Sequence, residues 1–255
     1  MKKEGILKEY TKGYSIRSLS KKYGCPRSTL RYHLVKNNIL RLNKKPEIIK
    51  KVKKHNHLMI GTLIGLWAGD GSKFKDRWCY IIKIHLHKND KGLANMIKRL
   101  LHTIFDKNSR FVSEKTNNKA VVITISKFIY EFIDKYVVYG KNKTLTVKLR
   151  NDTFSYSKRF LKGFLLGITL SDGYIKERFV LNVISHPLIM NVYGIFTKLG
   201  YHPRIACQNR RKYGWHNLYS ISLSRKETVK LKNLLNQTLR NLGIEDNLDL
   251  IKNYQ

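Results

Sequence analysis

Two aspartates in this chain stand in matching surroundings. Asp70 lies in GTLIGLWAGDG at 61–71, and Asp172 in GFLLGITLSDG at 163–173. Aligned, Gly61, Gly65, Gly69, Asp70 and Gly71 fall on Gly163, Gly167, Ser171, Asp172 and Gly173. Small residues at i, i+4 and i+8 share one face of an α-helix, and two such faces let backbones approach closely. Packed stripe against stripe, the two helices would bring both carboxylates to the same end of the pair. Glycine after each aspartate suits a left-handed helix cap, which puts the acid where the helix stops. One copy alone would read as a buried glycine-rich helix with a capping acid. Two copies in register are different, because paired carboxylates repel and raise each other's pKa unless a cation lies between them. Folding gains nothing from that arrangement, whereas Mg²⁺ (or Mn²⁺) accepts oxygen ligands of this kind.

The segments that follow must position these acids, and they also repeat. Tyr80, Ile82, Ile84 and Leu86 alternate with Ile81, Lys83, His85 and His87, a strand with one apolar and one basic face. Leu93 to Phe105 has helical spacing, Val121, Ile123 and Ile125 alternate in a further strand, and a helix is expected from Lys127 to Val138. In the second half Phe179, Leu181 and Val183 alternate, and Leu188 to Leu199 is helical. Arg204 to Gln208 is extended, Tyr219, Ile221 and Leu223 alternate with serines, and a last helix covers Lys226 to Leu242. Each half therefore reads αββαββα. A sheet with one wet, cationic face can lie against a nucleic-acid groove.

LIGLWAGDG at 63–71 and LLGITLSDG at 165–173 resemble the nine-residue motif of the LAGLIDADG homing endonucleases, in the form that carries two motifs in one chain. The sixth motif position departs from the family's namesake, being Ala68 and Leu170. The resemblance runs from Leu58 to Leu242. It implies an α+β fold of two pseudo-symmetric αββαββα domains with saddle-shaped antiparallel sheets. It also implies a DNA endonuclease whose Asp70 and Asp172 hold Mg²⁺ or Mn²⁺, with the carbonyls of Gly69 and Ser171 as further ligands. A basic residue near each acid is expected to steady charge or orient water; Lys73, Lys176 and Lys88 are the candidates, with His87 beside the last. The sheet residues expected on DNA are Lys75, Arg77, Lys83, His85 and His87, then Arg178, Asn182, Arg204, Gln208, Arg210, Arg211 and Lys212. The implied product is a staggered double-strand cut with 3′ overhangs at a long asymmetric target, as in intron homing.

Before the first motif the texture changes. In GYSIRSLSKKYGCPRSTLRYHL, Ile16, Leu19 and Tyr23 suit one short helix, Gly24 a turn, and Pro26 the opening of a second helix with Leu30 and Leu34 inward. This resembles a resolvase-type helix-turn-helix, which implies that Arg27, Ser28, Arg31 and Tyr32 of the second helix meet DNA. Five divisions follow: a helix-turn-helix module at 1–40, a basic linker at 41–57, the first LAGLIDADG domain at 58–140, a linker at 141–158 and the second domain at 159–255.

Composition agrees with a polyanionic partner: 51 Lys and Arg against 17 Asp and Glu leave a net charge of +34. The three cysteines, Cys25, Cys79 and Cys207, form no CxxC pair, which argues against a zinc ribbon or a disulfide framework and suits a reducing, cytoplasmic setting. The apolar run from Leu58 to Gly69 is well short of the roughly 18 to 20 residues that span a bilayer, and MKKEGILKEY has no signal-peptide core, so no membrane role is expected. His55-Asn56-His57 spells HNH without that nuclease fold's context, and His85-x-His87 lacks further zinc ligands. No splicing Cys or Ser opens the chain and no His-Asn closes it, so an intein is not expected. The reading is a monomeric, metal-dependent endonuclease acting on double-stranded DNA. Two rivals share the fold: a non-catalytic transcription regulator, and a maturase that binds intron RNA.

Overall fold

The computed structural model describes residues 3–11, 14–37, 57–77, 79–113, 118–211 and 214–243. They fall into two compact units, 1–50 and 51–255.

The first unit contains three short helices, α1 (Lys3–Thr11), α2 (Ile16–Tyr23) and α3 (Arg27–Lys36). Ser15 caps α2 by accepting the Ser18 amide, and Gly24 ends it in the left-handed region at φ 59°, a conformation that glycine adopts without a Cβ penalty. Ile6, Tyr10, Leu19, Cys25, Leu30 and Leu34 make its core. Leu30 and Leu34 point inward as their spacing requires, but α1, which the pattern of charges hid, completes the core with Ile6 and Tyr10. The basic stretch 41–54 and the His55-Asn56 pair lie outside the described residues.

In the second unit the order αββαββα occurs twice. The first set is α4 (His57–Asp70), β1 (Gly71–Asp76), β2 (Cys79–His87), α5 (Lys91–Phe105), β3 (Arg110–Ser113), β4 (Lys119–Ile125) and α6 (Lys127–Asp134). A connector follows: β5 (Val137–Val138) pairs with β6 (Lys148–Leu149) around the single-turn helix α7 (Lys143–Thr146), and a 3₁₀ turn covers Thr153–Ser155. The second set is α8 (Lys158–Asp172), β7 (Gly173–Ile175), β8 (Phe179–Val183), α9 (His186–Lys198), β9 (Arg204–Gln208), β10 (Leu218–Ser222) and α10 (Arg225–Asn241). The sheets are antiparallel with equivalent orders, β1-β2-β4-β3 and β7-β8-β10-β9. One expectation is corrected. The helix opening at Lys127 stops at Asp134 rather than Val138, because Val137 turns into the buried β5–β6 pair. The expected linker at 141–158 carries α7, β6 and the 3₁₀ turn.

Core and sheet faces follow from strand periodicity. Ile82 and Ile84 of β2 and Ala120 and Val122 of β4 are buried against the helices, as are Phe179, Leu181 and Val183 of β8. The alternate residues form an outer face on each sheet. Ser126, Ser157, Ser185 and Ser224 each cap the helix that follows with the side-chain oxygen, and Ser224 forms a full capping box with Glu227.

Candidate active site

Helices α4 and α8 pack backbone to backbone. A Cβ on Gly61 would strike the Phe160 carbonyl, one on Gly65 the Phe164 carbonyl, one on Gly163 the Leu58 carbonyl and one on Gly167 the Thr62 carbonyl. At the crossing, a Cβ on Gly65 would lie 3.1 Å from the Gly167 Cα. Only glycine fits these four places, which is why the small-residue stripe recurs. Gly71 and Gly173 are required for a different reason from the one expected. Gly173 is extended, at φ −83° and ψ 149°, and Gly71 is absent from the positive-φ residues, so neither is a left-handed cap. Instead a Cβ on Gly71 would strike the Trp67 ring, and one on Gly173 would meet the Thr169 backbone.

The crossing carries both acids to one end, where α4 passes directly into β1 and α8 into β7. A side chain at Gly69 would occupy the place of the Asp172 Oδ2 and the Ser171 Oγ, so the second carboxylate rests against the backbone beside the first. Burial, and then the Asp172 charge, push the Asp70 carboxyl up to about 7. Burial also raises Asp172. Lys143 opposes both shifts. Its ammonium donates to the Gly69 carbonyl at 2.9 Å and lies 4.8 Å from the Trp67 ring centre. Burial pulls Lys143 down to about 8, against the pull of the two aspartates. Lys143 is the site residue that sequence reasoning missed. It belongs to no repeat, and the four-residue helix α7 has no period that would have singled it out.

The expected basic partners lie elsewhere. Lys73 turns to the helix side of the first sheet, where its side chain is only 1% exposed, ion-paired with Asp134 and donating to the Tyr130 carbonyl at 2.8 Å. Burial lowers its pKa, and the Asp134 bond works against that shift. Its register partner is the buried Ile82, so strand alternation turns it away from the outer face. Lys176 is exposed in the β7–β8 turn, beyond the last paired residue Ile175. Lys88 is exposed just past β2, near Asp90, whose charge also acts on Asp70. Gly69 presents its carbonyl at the site, already engaged by Lys143, and the Ser171 hydroxyl turns back to the Gly167 and Ile168 carbonyls.

Of the residues expected on DNA, Lys83, His85 and His87 lie on the outer face of β2, and His85 shares a 3.0 Å hydrogen bond with Ser72. Asn182, Arg204 and Gln208 lie on the outer face of the second sheet. Arg77 and Arg178 sit in the two strand-joining turns. Arg210 and Arg211 follow β9, with the Arg210 guanidinium 4.9 Å from the Trp215 ring. Lys75, exposed near the end of β1, lies opposite Tyr80 in the register of the helix side, with its ammonium 5.4 Å from that ring. Lys212 is outside the described residues. In the first unit Arg27, Ser28, Arg31 and Tyr32 form the exposed side of α3.

Among the described residues no group of three or more His, Cys, Asp or Glu could hold a metal. Two carboxylates and a carbonyl still make an all-oxygen donor set. Such a set fits a hard divalent ion that keeps waters or takes phosphate oxygens for its other positions, with burial raising both carboxyls in its absence. Among the described residues no helix is long and apolar enough to cross a membrane.

Twin four-stranded antiparallel sheets suspended from a glycine-packed helix pair, each helix ending in aspartate, define a LAGLIDADG fold with both halves in one chain. Residues 58–137 match the family described as LAGLIDADG-like domain. Among solved structures, mesophilic variants of the homing endonuclease I-DmoI are similar at 15% identity and TM-score 0.54, over 71% of this chain and 97% of theirs. I-DmoI in complex with DNA and Mn is similar at 16% identity and TM-score 0.52, over 70% and 96%. Full-length DUF199/WhiA from Thermatoga maritima is similar at 13% identity and TM-score 0.50, over 82% of this chain and 63% of that one. No curated protein matches the chain by sequence.

Proposed function

We propose that this protein is a site-specific, divalent-metal-dependent endonuclease that hydrolyses both strands of double-stranded DNA at a long asymmetric target, leaving 3′ overhangs. The observation that carries this reading is the pair Asp70 and Asp172. Their ionisation is resisted by burial, and their proximity has no structural benefit. I-DmoI, similar in fold, is a homing endonuclease described in complex with DNA and Mn.

The Asp70 and Asp172 carboxylates, with the Gly69 and Ser171 carbonyls, would hold the metal. When bound, the cation would supply Lewis acidity toward phosphate oxygens and polarise the attacking water. The chain's own contribution is positional. Glycine packing fixes the two acids on rigid helices, and the sheets leading from them carry the outer faces that hold the duplex. Lys143, still largely protonated at neutral pH, limits repulsion between the acids and stabilises negative charge on the phosphate. The exposed side of α3 adds phosphate and base contacts, through Arg27, Ser28, Arg31 and Tyr32. One chain supplies both acids, so a monomer suffices, and unequal halves suit an unequal target.

A second reading, a binder of DNA or intron RNA without cleavage, is favoured by one observation: the Lys143 ammonium already partly neutralises the pair. Incubating the protein with a randomised duplex library, with Mg²⁺ or with chelator, separates the two. Metal-dependent breaks at one long asymmetric sequence support the endonuclease. Enrichment of bound duplex without breaks supports the binder.

A further inference from the structure

The two outer sheet faces, equivalent in topology, differ in chemistry. On the first sheet, register places Phe74, Ile81 and Ile125 in one cross-strand row. Phe74 is 41% and Ile125 60% exposed. A second row joins Ser72, Lys83, Ile123 and Arg110, and a third joins His85, Val121 and Val112, the last 45% exposed. None of these aliphatic side chains belongs to the core, which lies on the opposite face with Ile82, Ile84 and Val122. On the second sheet every row carries a hydrogen-bonding group. Tyr174, Val180, Ser222 and Arg204 form one, Asn182, Ser220 and Ala206 another, and Leu218 with Gln208 a third.

We infer that the first sheet reads thymine 5-methyl groups, whereas the second reads base edges by hydrogen bonds. The target would then have one half rich in A·T pairs recognised by apolar contact. The inference rests on the reading of this protein as a DNA binder whose outer sheet faces meet the major groove. A row of Phe74, Ile81 and Ile125 has no side-chain donor or acceptor, and the one apolar group that base pairs present in the major groove is the thymine methyl. Cations beside the rows, at Lys83, Arg110 and Lys119, supply phosphate attraction, so the apolar face is held against DNA rather than against another protein. The face is also continuous with the candidate active site, since β1 begins directly after Asp70. Arg204 and Gln208 on the second sheet carry the forked groups that pair with guanine and adenine edges.

The test uses the full chain with chelator present, so that binding is read without cutting. A bound duplex is first selected from a randomised library, and each thymine is then replaced by uracil, which removes only the methyl. In one half-site, replacement should weaken binding about three- to fourfold per contacted thymine, the worth of roughly one buried methyl group, and leave the other half unchanged. The outer-face double variant Ile81→Ser/Ile125→Ser, checked for an unchanged melting profile, should lose the penalty in that half. Arg204→Ala should keep it and relax selection in the opposite half. A selected duplex indifferent to uracil everywhere, or a uracil penalty that survives Ile81→Ser/Ile125→Ser, overturns the inference and leaves the DNA-binding reading intact. Failure to enrich any sequence overturns the reading beneath it.

Discussion

The two halves of the second unit agree at the centre and diverge toward the sheets. On the helix pair Gly61 and Gly65 of one half and Gly163 and Gly167 of the other each meet a backbone carbonyl of the facing helix, and each helix ends in an aspartate. Away from that axis the likeness stops. The first half ties Lys73 to Asp134 beneath its sheet, where the matching position of the second half, by the repeat, is Ile175. One lysine, Lys143 from the connector, serves both acids and has no described counterpart in the second half. The difference teaches that the centre is constrained twice, by packing and by chemistry. The sheets are constrained only by their inner faces, and their outer faces are free to specialise.

The comparison breaks most visibly if the acids are unequal. Asp70→Asn and Asp172→Asn should each lower cleavage of both strands by about a thousandfold or more, since several kcal/mol of charge stabilisation is lost. Lys143→Met should lower cleavage less, by about a hundredfold, the order found when one preorganised donor is removed. A strand-resolved gel would show whether this asymmetric lysine favours one strand. Lys73→Ala should act through stability, costing about 1–2 kcal/mol, because the Tyr130 carbonyl loses its donor and the buried lysine stem its packing, while the half-exposed Asp134 is rehydrated. Denaturant melts would register that loss, while activity of the folded fraction stays intact. Gly65→Ala and Gly167→Ala should cost similar amounts, each toward the upper end of about 1–3 kcal/mol, because the added methyl meets backbone. Unequal costs would show that the helix pair is less symmetric than its contacts.

The smallest effect concerns pH. Asp70 is raised from an ordinary carboxylate value to about 7, so its ionisation opposes folding. The associated stability is fully present below about pH 4 and is lost as pH rises through 7. Lys143 runs the other way. Lowered to about 8, it contributes stability present above its ordinary value near 10.5 and lost as pH falls through 8. Metal-free Asp70→Asn should therefore melt on the order of 5 °C above the wild type at pH 8, a gap that closes by about pH 4. A constant gap would mean that the substitution acts through packing.

Much of the fold was legible because the patterns that encode it are periodic. The glycine stripes, the strand alternation around Ile82 and Leu181 and the two short helices on either side of Gly24 all reflect repeats of the backbone itself. The aspartate pair was legible because one motif occurs twice. Helix α1 was hidden because its single buried stripe, Ile6 and Tyr10, is short and flanked by charge. Lys143 was hidden because tertiary packing alone brings α7 to the helix ends. Lys73 was misplaced because three residues past Asp70 looked near in sequence, while strand alternation turned it under the sheet.

The central claim is that Asp70 and Asp172 form one metal-dependent site. The most direct measurement follows both strands of a duplex selected by the wild-type protein, with Mg²⁺ present, for the wild type, Asp70→Asn and Asp172→Asn, with binding measured in parallel. The account predicts that both variants bind roughly as the wild type does and that neither cuts either strand appreciably. Normal cutting by either variant would contradict it.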